Sequence, residues 1–281
     1  MNTKNKKRES TDELKASLQK HLEETGYPLE LIVGNILSKH GWSVEHNRYY
    51  VDEDEKKSRE VDIAAYTCIT DEEYKLRIGS GLICEVKKSL KNPWVILSTD
   101  RGIAEGEGWL RLHYTVGNID LKPISGSQVD TKSTTRQFKR IGRSYCEGFK
   151  TDNAQSVIFK ALTTVVKASE HWLAAQTEAL ERLKKEKTRK EAPAEITFVD
   201  PVVILDGLLY ESHLKDNNQF VLSEISHIPV SFRYVSKQYP RRSYLAEIVT
   251  VDELPNLLLK KKDWIVNIKD SLINTLRKSS K

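Results

Sequence analysis

The sequence predicts an α/β protein, in which a helix, three strands, a second helix and a fourth strand form a central mixed sheet flanked by helices, followed by a C-terminal α+β extension. Three observations predict it. Segments with apolar residues at i, i+3, i+4 and i+7 alternate with segments in which β-branched residues recur at every second position. The run from Ile196 to Leu205 is apolar at almost every position, the pattern of a strand covered on both faces and so of a sheet between helical layers. No internal repeat, low-complexity linker or sharp change of composition divides the 281 residues, so one domain with an extension accounts for them.

The elements follow in chain order. Residues 1–9 are polar and are expected to be disordered. Ser10 and Glu13 have capping-box spacing, Leu14, Leu18 and Leu22 form one stripe, and Gly26 ends this first helix. Pro28 opens the next, which runs to His40 with Leu29, Ile32, Val33, Ile36 and Leu37 on its apolar face and Glu30 at the edge of that face. Trp42 to His46 reads as the first strand and continues through Tyr49-Tyr50-Val51 towards an acidic turn. Arg59 to Tyr66 and Gly81 to Ser89 read as the second and third, joined through Asp71-Glu72-Glu73 and Gly79. Trp94 is expected in the core.

Residues 98–150 interrupt the pattern as an insertion with a strand at Trp109 to Tyr114; Gly102, Gly106 and Gly108 lack the strand–glycine–helix context of a phosphate loop. A long helix begins near Thr151, buries Ile158, Leu162, Val165 and Trp172, and extends as a charged, exposed stretch to Glu191 before Pro193. After the buried strand come two more, Val230 to Val235 and Leu245 to Val251, and a terminal helix carrying Trp264, Ile265, Ile268, Leu272 and Leu276, with Lys260-Lys261-Lys262 read as a solvated cluster at its start. The boundaries expected are an N-terminal tail and helix over 1–26, a core over 27–206 and an extension over 207–281 packed on that core.

Composition narrows the function classes. Lysine and arginine number 45 against 40 aspartates and glutamates, a net charge of +5, which is compatible with a polyanionic partner. Cys68, Cys84 and Cys146 are widely spaced, which argues against a zinc ribbon or a disulfide framework and for a reducing cytoplasm. No apolar run suggests a signal peptide or a membrane span.

Two acids stand inside otherwise apolar strands, Asp62 between Val61 and Ile63 and Glu85 after Ile83 and Cys84. Antiparallel pairing of these strands brings Asp62 beside Glu85, and the period of two puts Glu85 and Lys87 on one face. Mg²⁺ favours such carboxylate oxygens, and the carbonyl of Val86 lies between the two side chains as a third donor. Lys87 then stands where it can orient or deprotonate a water and offset phosphate charge. The alternative is a surface strand with a salt bridge, since a chain that is 30% charged produces Glu-x-Lys by chance. Arg136, Lys139, Arg140 and Arg143 would share one helical face as a phosphate-binding stripe, or as a solvated face. Glu30 could instead serve only the dipole of its helix.

The order of elements, Asp62 and the Glu85-Val86-Lys87 triplet resemble the PD-(D/E)XK restriction-endonuclease-like nuclease superfamily, from about Tyr27 to Asp206. Val61 stands where many members have proline. The resemblance implies a restriction-endonuclease-like core (αβββαβ) and a metal-dependent nuclease: an Mg²⁺-dependent endodeoxyribonuclease of a prokaryotic restriction or anti-phage defence system, with Mn²⁺ able to substitute. It implies Asp62 and Glu85 as metal ligands, Lys87 acting on the attacking water, and Glu30 as the acid that members carry on the first helix. DNA is the partner expected, with RNA, a protein partner and a homo-oligomer left open, and no membrane. Two other classes remain: a catalytically inactive nucleic-acid-binding subunit of a defence complex that keeps the fold, and a structural protein in which Asp62, Glu85 and Lys87 form an ionic cluster.

Overall fold

Two long strands set the architecture. In the computed structural model, which describes residues 11–101, 112–116, 137–150, 156–185 and 194–279, β3 (Leu76–Asp100) and β6 (Ala194–Leu214) run parallel, paired from Leu76↔Ala194 to Leu97↔Ser212 with one register shift between Ser89 and Trp94. Both are rich in β-branched and aromatic residues and are buried along most of their length, as strands covered on both faces must be. β1 (Ser43–Asp52) and β2 (Lys57–Asp71) add to β3 as an antiparallel meander. β4 (Leu112–Val116) pairs with the first part of β6.

The sheet is mixed and includes the last third of the chain. β7 (Phe220–Ile225) pairs with the end of β6, β9 (Ser243–Thr250) runs parallel to its middle, and β8 (His227–Arg233) is antiparallel to β9. β5 (Arg140–Glu147) joins the end of β3 to β8 through Gly142↔Val230, so β3, β5, β8, β9 and β6 close a ring. Residues 207–281 are thus woven into the sheet, where the sequence suggested an extension packed on a finished core.

Helices cover both faces. α2 (Tyr27–Lys39) and the start of α4 (Leu254–Ser279) lay Leu29, Val33, Leu37, Leu257 and Leu258 on Ile63, Leu82, Cys84 and Val86. α3 (Val157–Lys185) lays Ile158, Leu162, Val165 and Trp172 on Val61, Ile83, Val199 and Val203. α1 (Thr11–Glu24) precedes them, with Leu14, Leu18 and Leu22 all exposed. Trp94 is fully buried, as expected. The expected tail 1–9, Gly102, Gly106, Gly108, Thr151, and the stretch from Glu186 to Pro193 lie outside the described residues.

Two buried lysines tie the layers together. Lys167 of α3 binds both oxygens of Asp52 at 2.8 and 2.9 Å and Asp54 at 3.0 Å, between the rings of Tyr234 and Tyr239. Lys261 of α4 donates to Asp200 of β6 at 2.7 Å and Glu247 of β9 at 2.6 Å, and His227 of β8 meets the other oxygen of Glu247 at 2.8 Å. The solvated reading of Lys260-Lys261-Lys262 fails at its middle residue, whose side chain is 0% exposed. Helical spacing explains it: Leu254, Leu257, Leu258, Lys261, Trp264, Ile265 and Ile268 share one stripe, and a lysine on that stripe is carried inside.

Removing one partner of a buried ion network leaves the others uncompensated. Lys261→Met is therefore expected to lose about 3–5 kcal/mol of stability in urea unfolding, and Lys261→Met combined with Asp200→Asn and Glu247→Gln to recover part of it. A loss under about 1 kcal/mol, the size of an exposed pair, would mean that the network is hydrated.

Candidate metal-binding nuclease centre

β3 has β6 along one edge. Its other edge is taken by β2 up to Cys84 and by β5 from Trp94, so residues 85–93 have no strand partner on that side among the described residues. The candidate residues lie at the start of this gap. The β2–β3 ladder ends at Ile63↔Cys84, and in place of the next rung the Asp62 carboxylate accepts the Val86 N–H at 2.7 Å through Oδ2. β2 turns over at this point: Val61 packs in the α3 layer and Ile63 in the α2 layer, although residues two apart in a regular strand share a face. Opposite Asp62 on β1, Asn47 adopts φ 53°, a conformation asparagine tolerates, and donates to Glu60. The side chain of Asp62 is thereby aimed along the sheet at β3.

Glu85 and Lys87 stand together as the strand period demands. Lys87 Nζ lies 2.7 Å from Glu85 Oε1, 3.1 Å from the Val86 carbonyl oxygen and 3.6 Å from Asp62 Oδ2. The three oxygens that the sequence assigned to a metal therefore converge on one cation, the ammonium. Glu85 Oε2 is buried and has no hydrogen-bond partner. Glu30 arrives from the first turn of α2, which approaches the meander so closely that Gly34 leaves no room for a Cβ against the His46 ring.

The electrostatics follow from crowding acids in a half-buried gap. Burial, then the charges of Asp62 and Glu30, lift the Glu85 carboxyl from its ordinary 4.5 to about 7 against the pull of Lys87. Burial and Asp62 also raise Glu30, with Lys87 opposing, so Glu30 belongs to the same charged group. Burial works against the Lys87 ammonium, but Glu85 and Asp62 outweigh it and hold its pKa above the ordinary lysine value. Burial, with help from Asp52 and Glu85, pushes the buried Tyr50 phenol to about 12. The Cys84 thiol is raised by burial and stays an inert core group.

Two expectations are corrected or bounded. Lys139, Arg140 and Arg143 do not lie on a helix: residues 140–147 form β5, on which 140 and 143 point to opposite faces, and Arg136 lies outside the described residues. Arg140 is occupied by a bidentate pair with Glu211 at 2.8 and 2.9 Å, backed by Ser98, and Arg143 donates to Thr99 at 3.0 Å. Pairing with β3 overrides the helical spacing, and Gly142, a poor helix residue packed against Ile96 and Val230, was the available signal. Among the described residues no three His, Cys, Asp or Glu side chains are grouped to hold a metal. No described helix is long and apolar enough to cross a membrane.

Compared with protein-family models, curated proteins and solved structures, the chain matches none.

A carboxyl whose pKa is raised on folding holds its proton more tightly in the folded state. Its contribution to stability is complete below about 4.5 and is lost as pH rises through about 7. In chelator-treated buffer, urea midpoints of the wild type are expected to fall relative to Glu85→Gln between these pH values. Parallel curves for the two proteins would mean that Glu85 is already ionised across this range.

Proposed function

We propose that this chain is a metal-dependent nuclease with a PD-(D/E)XK-type centre, an endonuclease that hydrolyses phosphodiester bonds of DNA. The observation that carries the reading is the convergence of Asp62 Oδ2, Glu85 Oε1 and the Val86 carbonyl on a single cation in the unpaired gap of β3. The orphaned Glu85 Oε2 adds a fourth oxygen that lacks a donor and suits a hard cation. Asp62 and Glu85 would hold Mg²⁺ or Mn²⁺, and Glu30 would support its water shell. When bound, the ion supplies Lewis acidity towards a phosphate oxygen.

The chain's own groups do the rest. Asp62 spans β2 and β3 and fixes their separation at the site through the Val86 N–H. Lys87, held protonated by its acids, serves as a hydrogen-bond donor to the attacking water or to a phosphate oxygen rather than as a general base. Anti-phage defence or restriction is the context that the resemblance implies for such an enzyme.

A second reading treats Asp62, Glu85 and Lys87 as a structural ion cluster, and it has an observation in its favour: the Lys87 ammonium lies 2.7 Å from Glu85 and 3.6 Å from Asp62. Thermal melts separate the two. Clustered carboxylates gain from a dication, so millimolar Mg²⁺ or Mn²⁺ is expected to raise the wild-type melting temperature, and Asp62→Asn to lose most of that rise. An equal rise in both proteins would move the ion elsewhere, and no rise in either favours the structural cluster.

Cleavage is tested on plasmid, linear and single-stranded DNA and on RNA with Mg²⁺, Mn²⁺ or chelator. Lys87→Met is expected to lose cleavage by roughly two to four orders of magnitude while still binding the ion in a calorimetric titration. Wild-type cleavage by this variant would remove the strand from the chemistry. Loss of ion binding together with cleavage would make Lys87 a positioning group.

A further inference from the structure

Phe149 is 89% exposed, more than any other large apolar side chain among the described residues. Its backbone is in the left-handed region, φ 62°, which a bulky side chain rarely adopts and which recurs at functional positions. The turn that presents it is fastened on two sides. Gly148 donates its N–H to the Pro93 carbonyl at 2.7 Å and packs on the proline so closely that a Cβ would meet that oxygen at 3.3 Å. Glu147 pairs across β5 with Trp94 of β3, and its carboxylate caps the start of α3 by accepting the Val157 N–H at 2.9 Å. An aromatic ring is thus held out into solvent on a fixed support.

The position of this support gives it a meaning. It stands on the bulge of β3 between Ser89 and Trp94, in the same unpaired stretch that begins with Glu85 and Lys87. Lys88, just before the bulge, and Leu90 and Lys91 within it are exposed. The six residue steps from Lys87 to Pro93, fully extended, reach about 20 Å, or roughly six steps of one nucleic-acid strand at 3.4 Å each.

We infer that Phe149 is a stacking platform for an unpaired nucleobase, with Lys88 and Lys91 meeting the flanking phosphates, so that the protein binds nucleic acid containing a single-stranded segment. The inference deepens the nuclease reading by naming its substrate class, and rests on that reading for its biological purpose. An exposed ring fastened to a stretch that also exposes lysines suits a strand that offers a π-face and phosphates in alternation. Among the described residues Leu90, Leu208 and Phe149 are the exposed apolar side chains of this corner, too few to form the roughly 800 Å² per partner of a stable protein interface.

The test is fluorescence anisotropy of the full-length chain in chelator with labelled single-stranded and duplex oligonucleotides, using wild type, Phe149→Ala, Phe149→Leu and Phe149→Trp. Ala and Leu are expected to weaken single-strand binding by between about fivefold and about a hundredfold, and Trp to keep it. Melting temperatures check the fold, and Phe149→Gly, which suits the backbone, is expected to raise the melting temperature while losing binding. The inference is overturned if Ala binds as the wild type does, if Leu serves as well as Phe, or if the wild type binds anionic phospholipid vesicles but no oligonucleotide. Cleavage assays on the same preparations separate the two proposals. Phe149-dependent binding without cleavage in Mg²⁺ or Mn²⁺ keeps the platform and removes the nuclease, and cleavage with binding indifferent to Phe149 does the reverse.

Discussion

The parallel pairing of β3 with β6 is the constraint on which the rest of the structure depends. It runs almost the full length of both strands and commits one edge of β3 entirely. The other edge is then shared by two antiparallel neighbours, β2 and β5, which do not meet. Between them the described strands leave an opening along that edge of β3, at residues 85–93. An acid placed there can take a backbone N–H, as Asp62 does, or be left partly unsatisfied, as Glu85 is. The unusual chemistry of this region is therefore a property of how three strands share one edge, rather than of any single residue.

Lys261, Lys167 and Lys87 each sit between carboxylates, and comparing them helps to weigh the readings of the site. The side chains of Lys261 and Lys167 are 0% and 6% exposed, and each joins strands or helices that would otherwise separate. The side chain of Lys87 is 26% exposed and bridges groups that one strand and its neighbour already hold together. A sealed lysine with its acids acts as internal cement. One that solvent reaches, with an acid lacking a donor beside it, can exchange its partners for others, which favours a binding role over a structural one.

Much of this was legible in the sequence, for identifiable reasons. The helices of residues 27–39 and 157–185 follow from apolar spacing, and the buried β6 from the largely apolar run Ile196 to Leu205. The grouping of Asp62, Glu85 and Lys87 was accessible because strand period and antiparallel pairing are local rules. The ring through β5, β8 and β9 was not, since nothing in residues 140–147 states which distant strand they join. The stripe at Lys139, Arg140 and Arg143 misled because a helix and a strand can be written over the same eight residues, and long-range pairing with β3 decided between them. Lys261 was missed for a different reason: its two lysine neighbours masked its place on the apolar stripe.

The closure of the strand ring also has a consequence in time. Leu76 and Ala194 are more than a hundred residues apart and must meet before β3 has its fixed edge, a pairing of the kind that folds slowly. β9 and α4, which hold the far side of β6 and neutralise Asp200 and Glu247, are made after β3 and β6. A nascent chain thus carries Asp62, Glu85 and Lys87 long before it contains the residues that align them. Until β6 and β9 have been made, the polypeptide has the ingredients of the site without the site.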